Sequence, residues 1–127
     1  MTNLPGRDSI PPERWIGNLI EAASNIANKE RQEARWLAPN RQAWESPDEL
    51  ICSLLDDSQL ELFLQVNESS FTPDQRRTGK AFLDAINSFC ESTPKHLNPQ
   101  EVLQNPQWWM IRDKAEAFAL AFRNKWP

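Results

Sequence analysis

The chain has 127 residues, of which 39% are hydrophobic and 25% charged, and it contains only two cysteines. These values predict one globular domain over residues 1–127 that needs no disulfide, since a chain of this length buries roughly two thirds of its unfolded surface. A formal net charge of −4 disfavours nucleic-acid binding, and no segment approaches the ~20 apolar residues of a membrane span.

Residues 1–11 are rich in proline and charge, and we interpret them as an irregular N-terminal arm rather than a signal peptide. A first helix is predicted from Pro12 to Leu37, because apolar residues recur at helical spacing from Trp15 onward and Pro39 ends the run. Its second half is polar, and residues 29–35, including Gln32, are predicted to face solvent.

Three later segments share one pattern for beginning a helix, in which a capping side chain precedes proline and Glu or Gln stands at the third helical position. They are Ser46-Pro47-Asp48-Glu49, Thr72-Pro73-Asp74-Gln75 and Asn98-Pro99-Gln100-Glu101. Such a capping box with proline at the first helical position begins a helix. Strand signals are scarce, with no Tyr and three Gly in the chain. The predicted fold is all-α, a compact single-domain bundle of about five helices.

Apolar spacing predicts the buried face of each later helix. The helix from Pro47 turns Leu50, Ile51, Leu54 and Leu55 inward and sends Glu49, Ser53 and Asp56 to the opposite side. Ser58, with Glu61 three residues later, is expected to restart a short helix containing Leu60, Phe63 and Leu64. A fourth helix from Pro73 to about Glu91 buries Phe82, Ala85, Ile86 and Phe89. After a short turn at 99–104, the last helix buries Trp108, Ile111, Ala115, Phe118, Ala119 and Phe122.

The charge of the chain is segregated along the sequence. From Gln42 to Gln75 there are eight carboxylates and not one Lys or Arg. A concentrated negative segment attracts positively charged partners by electrostatic steering and repels phosphate backbones. An aromatic residue next to such charges is typical of a protein interface. We therefore predict a partner-binding site made of Trp44, Glu45, Asp48, Glu49, Ser53, Asp56, Asp57 and Glu61; Trp44 packed against the following helix is the alternative interpretation of that residue.

The sequence offers little for catalysis, and we expect neither a cofactor nor a metal ion. Cys52 and Cys90 lie beside apolar residues and are predicted to be free, buried thiols. A Cys90/His96 dyad is conceivable for a hydrolase, although a thiol on an apolar helical stripe is usually inert. Asp56 and Asp57 with nearby acids lack the spacing and glycine of a calcium loop.

Several short segments resemble small bacterial immunity proteins that are paired with contact-dependent growth inhibition toxins and related polymorphic toxins. The resemblance rests on Trp15, Glu30-Arg31-Gln32-Glu33 before Trp36-Leu37, Ser46-Pro47-x-Glu49-Leu50, Leu55-Asp56-Asp57, Phe63-Leu64, and Pro106-x-Trp108 with Ile111-Arg112. It implies a non-catalytic protein that binds and blocks the toxin domain of its own system, often a nuclease with a basic groove. The lack of a signal-peptide pattern and of a membrane-span segment leads us to expect a cytoplasmic protein. No toxin-contacting residue follows from the resemblance. The alternative hypothesis is a helical adaptor or regulatory subunit of a cytoplasmic complex.

Overall fold

A computed structural model describes residues 12–36, 46–93 and 98–123, and within these ranges every regular element is helical. The helices are α1 (Pro12–Ala27), α2 (Lys29–Trp36), α3 (Pro47–Cys52), α4 (Leu60–Val66), α5 (Pro73–Ser92), α6 (Pro99–Leu103) and α7 (Pro106–Arg123). A π-helical turn, Ser53–Asp57, continues α3, and a 3-10 turn, Glu68–Ser70, follows α4. Five of the described helices have seven or more residues, which confirms the all-α prediction. The expected arm at residues 1–11 lies outside the described ranges.

The three predicted helix starts are confirmed by cap hydrogen bonds. The Ser46 hydroxyl accepts from the Glu49 amide, and the Asn98 side chain accepts from the amides of Gln100 and Glu101. The complete reciprocal box is present at Thr72, where the cap and the Gln75 side chain each accept a backbone N–H from the other residue. Each cap satisfies amides that have no partner within their own helix.

Helix α7 lies between α1 and α5 and makes its most extensive contacts with these two helices. Its predicted buried face is confirmed, since the aromatic members of that stripe, Trp108, Phe118 and Phe122, are fully buried. The Phe118 ring contacts Phe82 of α5 at a centroid distance of 5.4 Å, and Trp108 contacts Phe89 at 5.6 Å. Burial of each such ring stabilises the fold by about 2–3 kcal/mol, so this helix forms the centre of the core.

The prediction of one helix from Pro12 to Leu37 is wrong, because the helix is interrupted at Asn28. The Asn28 side chain accepts from the Arg31 amide and caps α2, as an Asn in a non-helical position commonly does. Leu37 lies outside the described residues. Because the helix is interrupted at Asn28, the side chains of α2 point in other directions than they would in one continuous helix.

Gln32 consequently lies in the core rather than in solvent, with 1% of its surface exposed. Its Nε2 donates to the carbonyls of Asn25 and Ile26, at 3.0 and 2.7 Å, and its Oε1 accepts from Trp108 Nε1 at 3.0 Å. The two carbonyls belong to the last turn of α1, where the Asn25 carbonyl has only a long hydrogen bond from the Asn28 amide, at 3.4 Å, and the Ile26 carbonyl has no backbone donor. A side chain of α2 therefore caps the end of α1 and links it to α7.

The segment predicted as a short turn at 99–104 is helical, since residues Pro99–Leu103 form the short helix α6, in agreement with the predicted helix start at Asn98. The Asn98 cap and Pro99 at the first helical position favour helix over open turn. Val102 is buried, and the Leu103 carbonyl accepts from Trp109 Nε1 at 2.7 Å. Of the two adjacent tryptophans, Trp108 is fully buried and Trp109 is 46% exposed.

Candidate functional site: an acidic face on α3 and its π-helical turn

The predicted partner-binding residues begin on α3, whose inner side anchors them. Leu50, Ile51 and Leu54 are buried as predicted, and Leu55 is half-buried. Since these residues occupy the inner side, Glu49, Asp56 and Asp57 are exposed, while Asp48 and Ser53 are half-buried. Trp44 and Glu45 lie outside the described residues, so the site is described from Asp48 onward.

A π-helical turn shapes the end of this segment. The Ser58 amide donates to the Ser53 carbonyl at 2.9 Å, a hydrogen bond that spans five residues instead of four. Such wide turns insert an extra residue into a helix and are frequent at functional sites. Within this turn the side chain of Leu54 is fully buried, whereas the side chains of Asp56 and Asp57 are exposed.

The chain then bends sharply at Gln59, whose φ of 53° and ψ of 57° place it in the left-handed region. The prediction that Ser58 caps the next helix is wrong, because Ser58 is buried and α4 begins at Leu60. The Ser58 carbonyl instead accepts from Trp15 Nε1 at 2.7 Å. This hydrogen bond joins the bend to α1.

Four carboxylates act on the Cys52 thiol. Desolvation raises the pKa of Cys52, and the carboxylates of Asp56, Glu49, Asp48 and Asp57 raise it further, in that order. Because nearby negative charges disfavour the thiolate, each of these carboxylates raises the pKa of the Cys52 thiol. We call the set Asp48, Glu49, Asp56 and Asp57 the acidic face.

Helix α5 adds to this environment near its C-terminal end. Desolvation raises the pKa of Cys90, with further contributions from Cys52, Asp48 and Glu91. Glu91 acts on Cys90 as its exposed neighbour in the chain, whereas Cys52 and Asp48 act on Cys90 from α3. Sequence reasoning missed this approach of Cys90 to α3, because it depends on how helices distant in sequence pack.

Both cysteines are free and exposed, so the prediction of buried thiols is wrong. The local sequence contained the relevant signal for Cys52, since Asp48, Cys52 and Asp56 follow one another at four-residue spacing on the same side of the helix. His96, the other member of the conceivable dyad, lies outside the described residues. In the described part of the chain, no three His, Cys, Asp or Glu side chains are grouped closely enough to hold a metal ion.

Glu61 is separated from the acidic face along the chain by the bend at Gln59. It lies on α4, beyond the bend, and is not among the carboxylates that raise the pKa of Cys52. Together with apolar Leu64 and Phe71 and the basic side chain of Arg76, it lines a groove of about 210 Å³ between α4 and α5. Arg76 donates weakly to the carbonyls of Glu68 and Phe71, at 3.4 and 3.5 Å.

The acidic face has no cationic partner among the described residues. Two ion pairs among the described residues, Arg77 with Asp74 and Lys80 with Asp84, lie on α5 and not on the acidic face. No described Lys or Arg nitrogen lies within 4 Å of a carboxylate of the acidic face.

Comparisons with protein-family models, curated proteins and solved structures find no match to this chain. None of the described helices has the length and apolar character that a membrane crossing requires.

Proposed function

We propose that this protein is an immunity protein that binds and neutralises a cognate, basic toxin domain through the acidic face, without catalysis of its own. The observation that supports the proposal is the group of four adjacent carboxylates without a cationic partner in the described chain. The resemblance of the sequence segments to small bacterial immunity proteins supports the same function. The cytoplasm, where such proteins act, is the compartment we propose for it.

The physical mechanism is electrostatic substitution for a phosphate backbone. A nuclease-type toxin needs a basic groove to hold its substrate, and a rigid row of carboxylates is attracted to the same groove. Complementary charge raises the association rate by orders of magnitude at low salt, and the effect is screened beyond about 8–10 Å at physiological ionic strength. Binding alone then excludes the substrate.

The state of the two thiols supports a binding role over a catalytic one. A nucleophilic cysteine requires a lowered pKa, whereas the pKa values of Cys52 and Cys90 are both raised. Among the described residues, the charges acting on these thiols are all negative, which is the reverse of the environment that activates a thiolate.

The proposal is tested by capturing partners of the tagged protein from its native cells, at low and then at high salt, and measuring their binding rates. The charge-reversal variant Glu49→Lys/Asp56→Lys/Asp57→Lys should associate with a captured toxin domain about tenfold or more slowly at low salt, because steering is reversed. Glu61→Lys, measured separately, determines whether the groove on α4 belongs to the contact.

A matched control changes the net charge equally on other helices, as Glu13→Lys/Glu21→Lys/Glu116→Lys, and all three positions are exposed. This control should retain most of the association rate. Equal rates for the two triple variants would exclude the acidic face as the contact surface. Recovery of a housekeeping assembly in place of a toxin would favour the adaptor function instead.

A further inference from the structure

A second surface lies on the outer side of the α5/α7 pair and is independent of the acidic face. It is a groove of about 280 Å³, lined by the small side chains Ala81, Ala85 and Ser88 on α5 and by Met110 and Lys114 on α7. Met110 is a large apolar side chain beside this groove of small ones, and it is 54% exposed. No residue of the acidic face lines this groove.

The register of α5 and α7 follows from three contacts across the pair. Phe82 contacts Phe118, Phe89 contacts Trp108, and Gln75 Nε2 donates to the Ala121 carbonyl at 3.1 Å. Across these contacts the residue numbers of α5 increase while those of α7 decrease, so the two helices are antiparallel. In this register Asp84 lies level with Lys114, and Ser88 lies level with Met110.

We propose that this groove is the interface of a homodimer, in which a second copy is related by a two-fold axis running along the groove. Rotation about that axis leaves the height along the groove unchanged and places α5 of each copy over α7 of the other. Asp84 then opposes Lys114 of the second copy, and the symmetry makes this ion pair twice. Met110 enters the space that Ala85 and Ser88 of the second copy leave open.

The face fits a second copy because it is complementary to itself. It contains a large apolar side chain and the small residues that accommodate one, and it contains an acid and a base at the same height. In the monomer Asp84 accepts from Lys80 at 3.1 Å, but the two side chains are 59% and 76% exposed. Such an exposed pair contributes little, so Asp84 is free to bind Lys114 across the interface.

The test measures molar mass by light scattering as the concentration is raised from low micromolar to near millimolar. The mass of the wild-type protein should rise from 14.7 kDa towards twice that value. Asp84→Lys alone and Lys114→Glu alone should each dimerise at least about tenfold more weakly, since each places like charges opposite one another twice. Mixed in equal amounts, the two variants should form a heterodimer, because the new lysine of D84K then opposes the new glutamate of K114E.

The control Glu21→Lys lies on α1, on the other side of α7, and should dimerise like the wild type. Met110→Lys provides a variant that does not depend on the ion pair, and it should also weaken the dimer. Far-UV circular dichroism verifies that each variant is folded. The proposal is wrong if the wild type stays monomeric at the highest concentration, if D84K dimerises normally, or if the mixture remains monomeric.

Discussion

Gln32 provides the most direct test of how the interior is held together. It accepts one hydrogen bond and donates two in a site where it is 1% exposed. Replacement by Leu keeps the volume but removes all three hydrogen bonds. The Ile26 carbonyl and the Trp108 indole N–H then remain buried without a partner, while the Asn25 carbonyl keeps the Asn28 amide as a donor at 3.4 Å.

The expected loss follows from that difference. A neutral hydrogen bond contributes about 1 kcal/mol, and a buried group left without a partner costs about 1–3 kcal/mol. Two buried groups left without a partner therefore predict that Gln32→Leu lowers the free energy of unfolding by about 2–3 kcal/mol. For a domain of this size the corresponding fall in Tm is about 10 °C.

The assay is equilibrium urea unfolding followed by far-UV circular dichroism, with Gln32→Leu, Trp108→Phe and the double variant. Because Trp108→Phe removes the donor that Gln32→Leu leaves without a partner, the double variant should be about 1 kcal/mol more stable than the sum of the single effects predicts. Gln65→Leu at an exposed position is the control and should change stability by less than about 0.5 kcal/mol. A loss below about 0.5 kcal/mol for Gln32→Leu, or strict additivity, would refute the reasoning.

Two further predictions concern the glycines and the thiol of the acidic face. Gly17→Ala should stabilise the protein by about 0.8 kcal/mol in thermal unfolding, because alanine favours helix and its Cβ meets nothing within 4 Å. Gly79→Ala should stabilise less or destabilise, because its Cβ would lie 2.7 Å from Leu64 Cδ2; equal gains at both sites would contradict this. Alkylation of Cys52 in a Cys90-free variant should be slower at pH 8 than that of a free cysteine and should accelerate in Asp56→Asn, since a raised pKa keeps the thiol protonated until higher pH. An unchanged rate in Asp56→Asn would show that the carboxylate does not act on the thiol.

The parts of the fold that depend on neighbouring residues could be predicted from the sequence. Thr72 caps α5 by exchanging two hydrogen bonds with Gln75, three residues later. Because both partners are close in sequence, this cap could be predicted from the residue types alone. The direction of Gln32 could not be predicted, because it depends on a one-residue break at Asn28 that resets the helical phase. The approach of Cys90 to Cys52 and Asp48 is likewise a result of packing between helices distant in sequence.

The central position of α7 governs the order in which the core can form. Helices α1 and α5 both pack mainly on α7, although residue 123 is synthesised long after the end of α1. Until α7 has left the ribosome, the apolar faces of the two earlier long helices have no lasting partner. Contacts between residues so distant in sequence slow folding, since a long loop must close before they form. We therefore expect stable tertiary structure to arise only after residue 123 emerges, in one cooperative step that joins the first helix to the last.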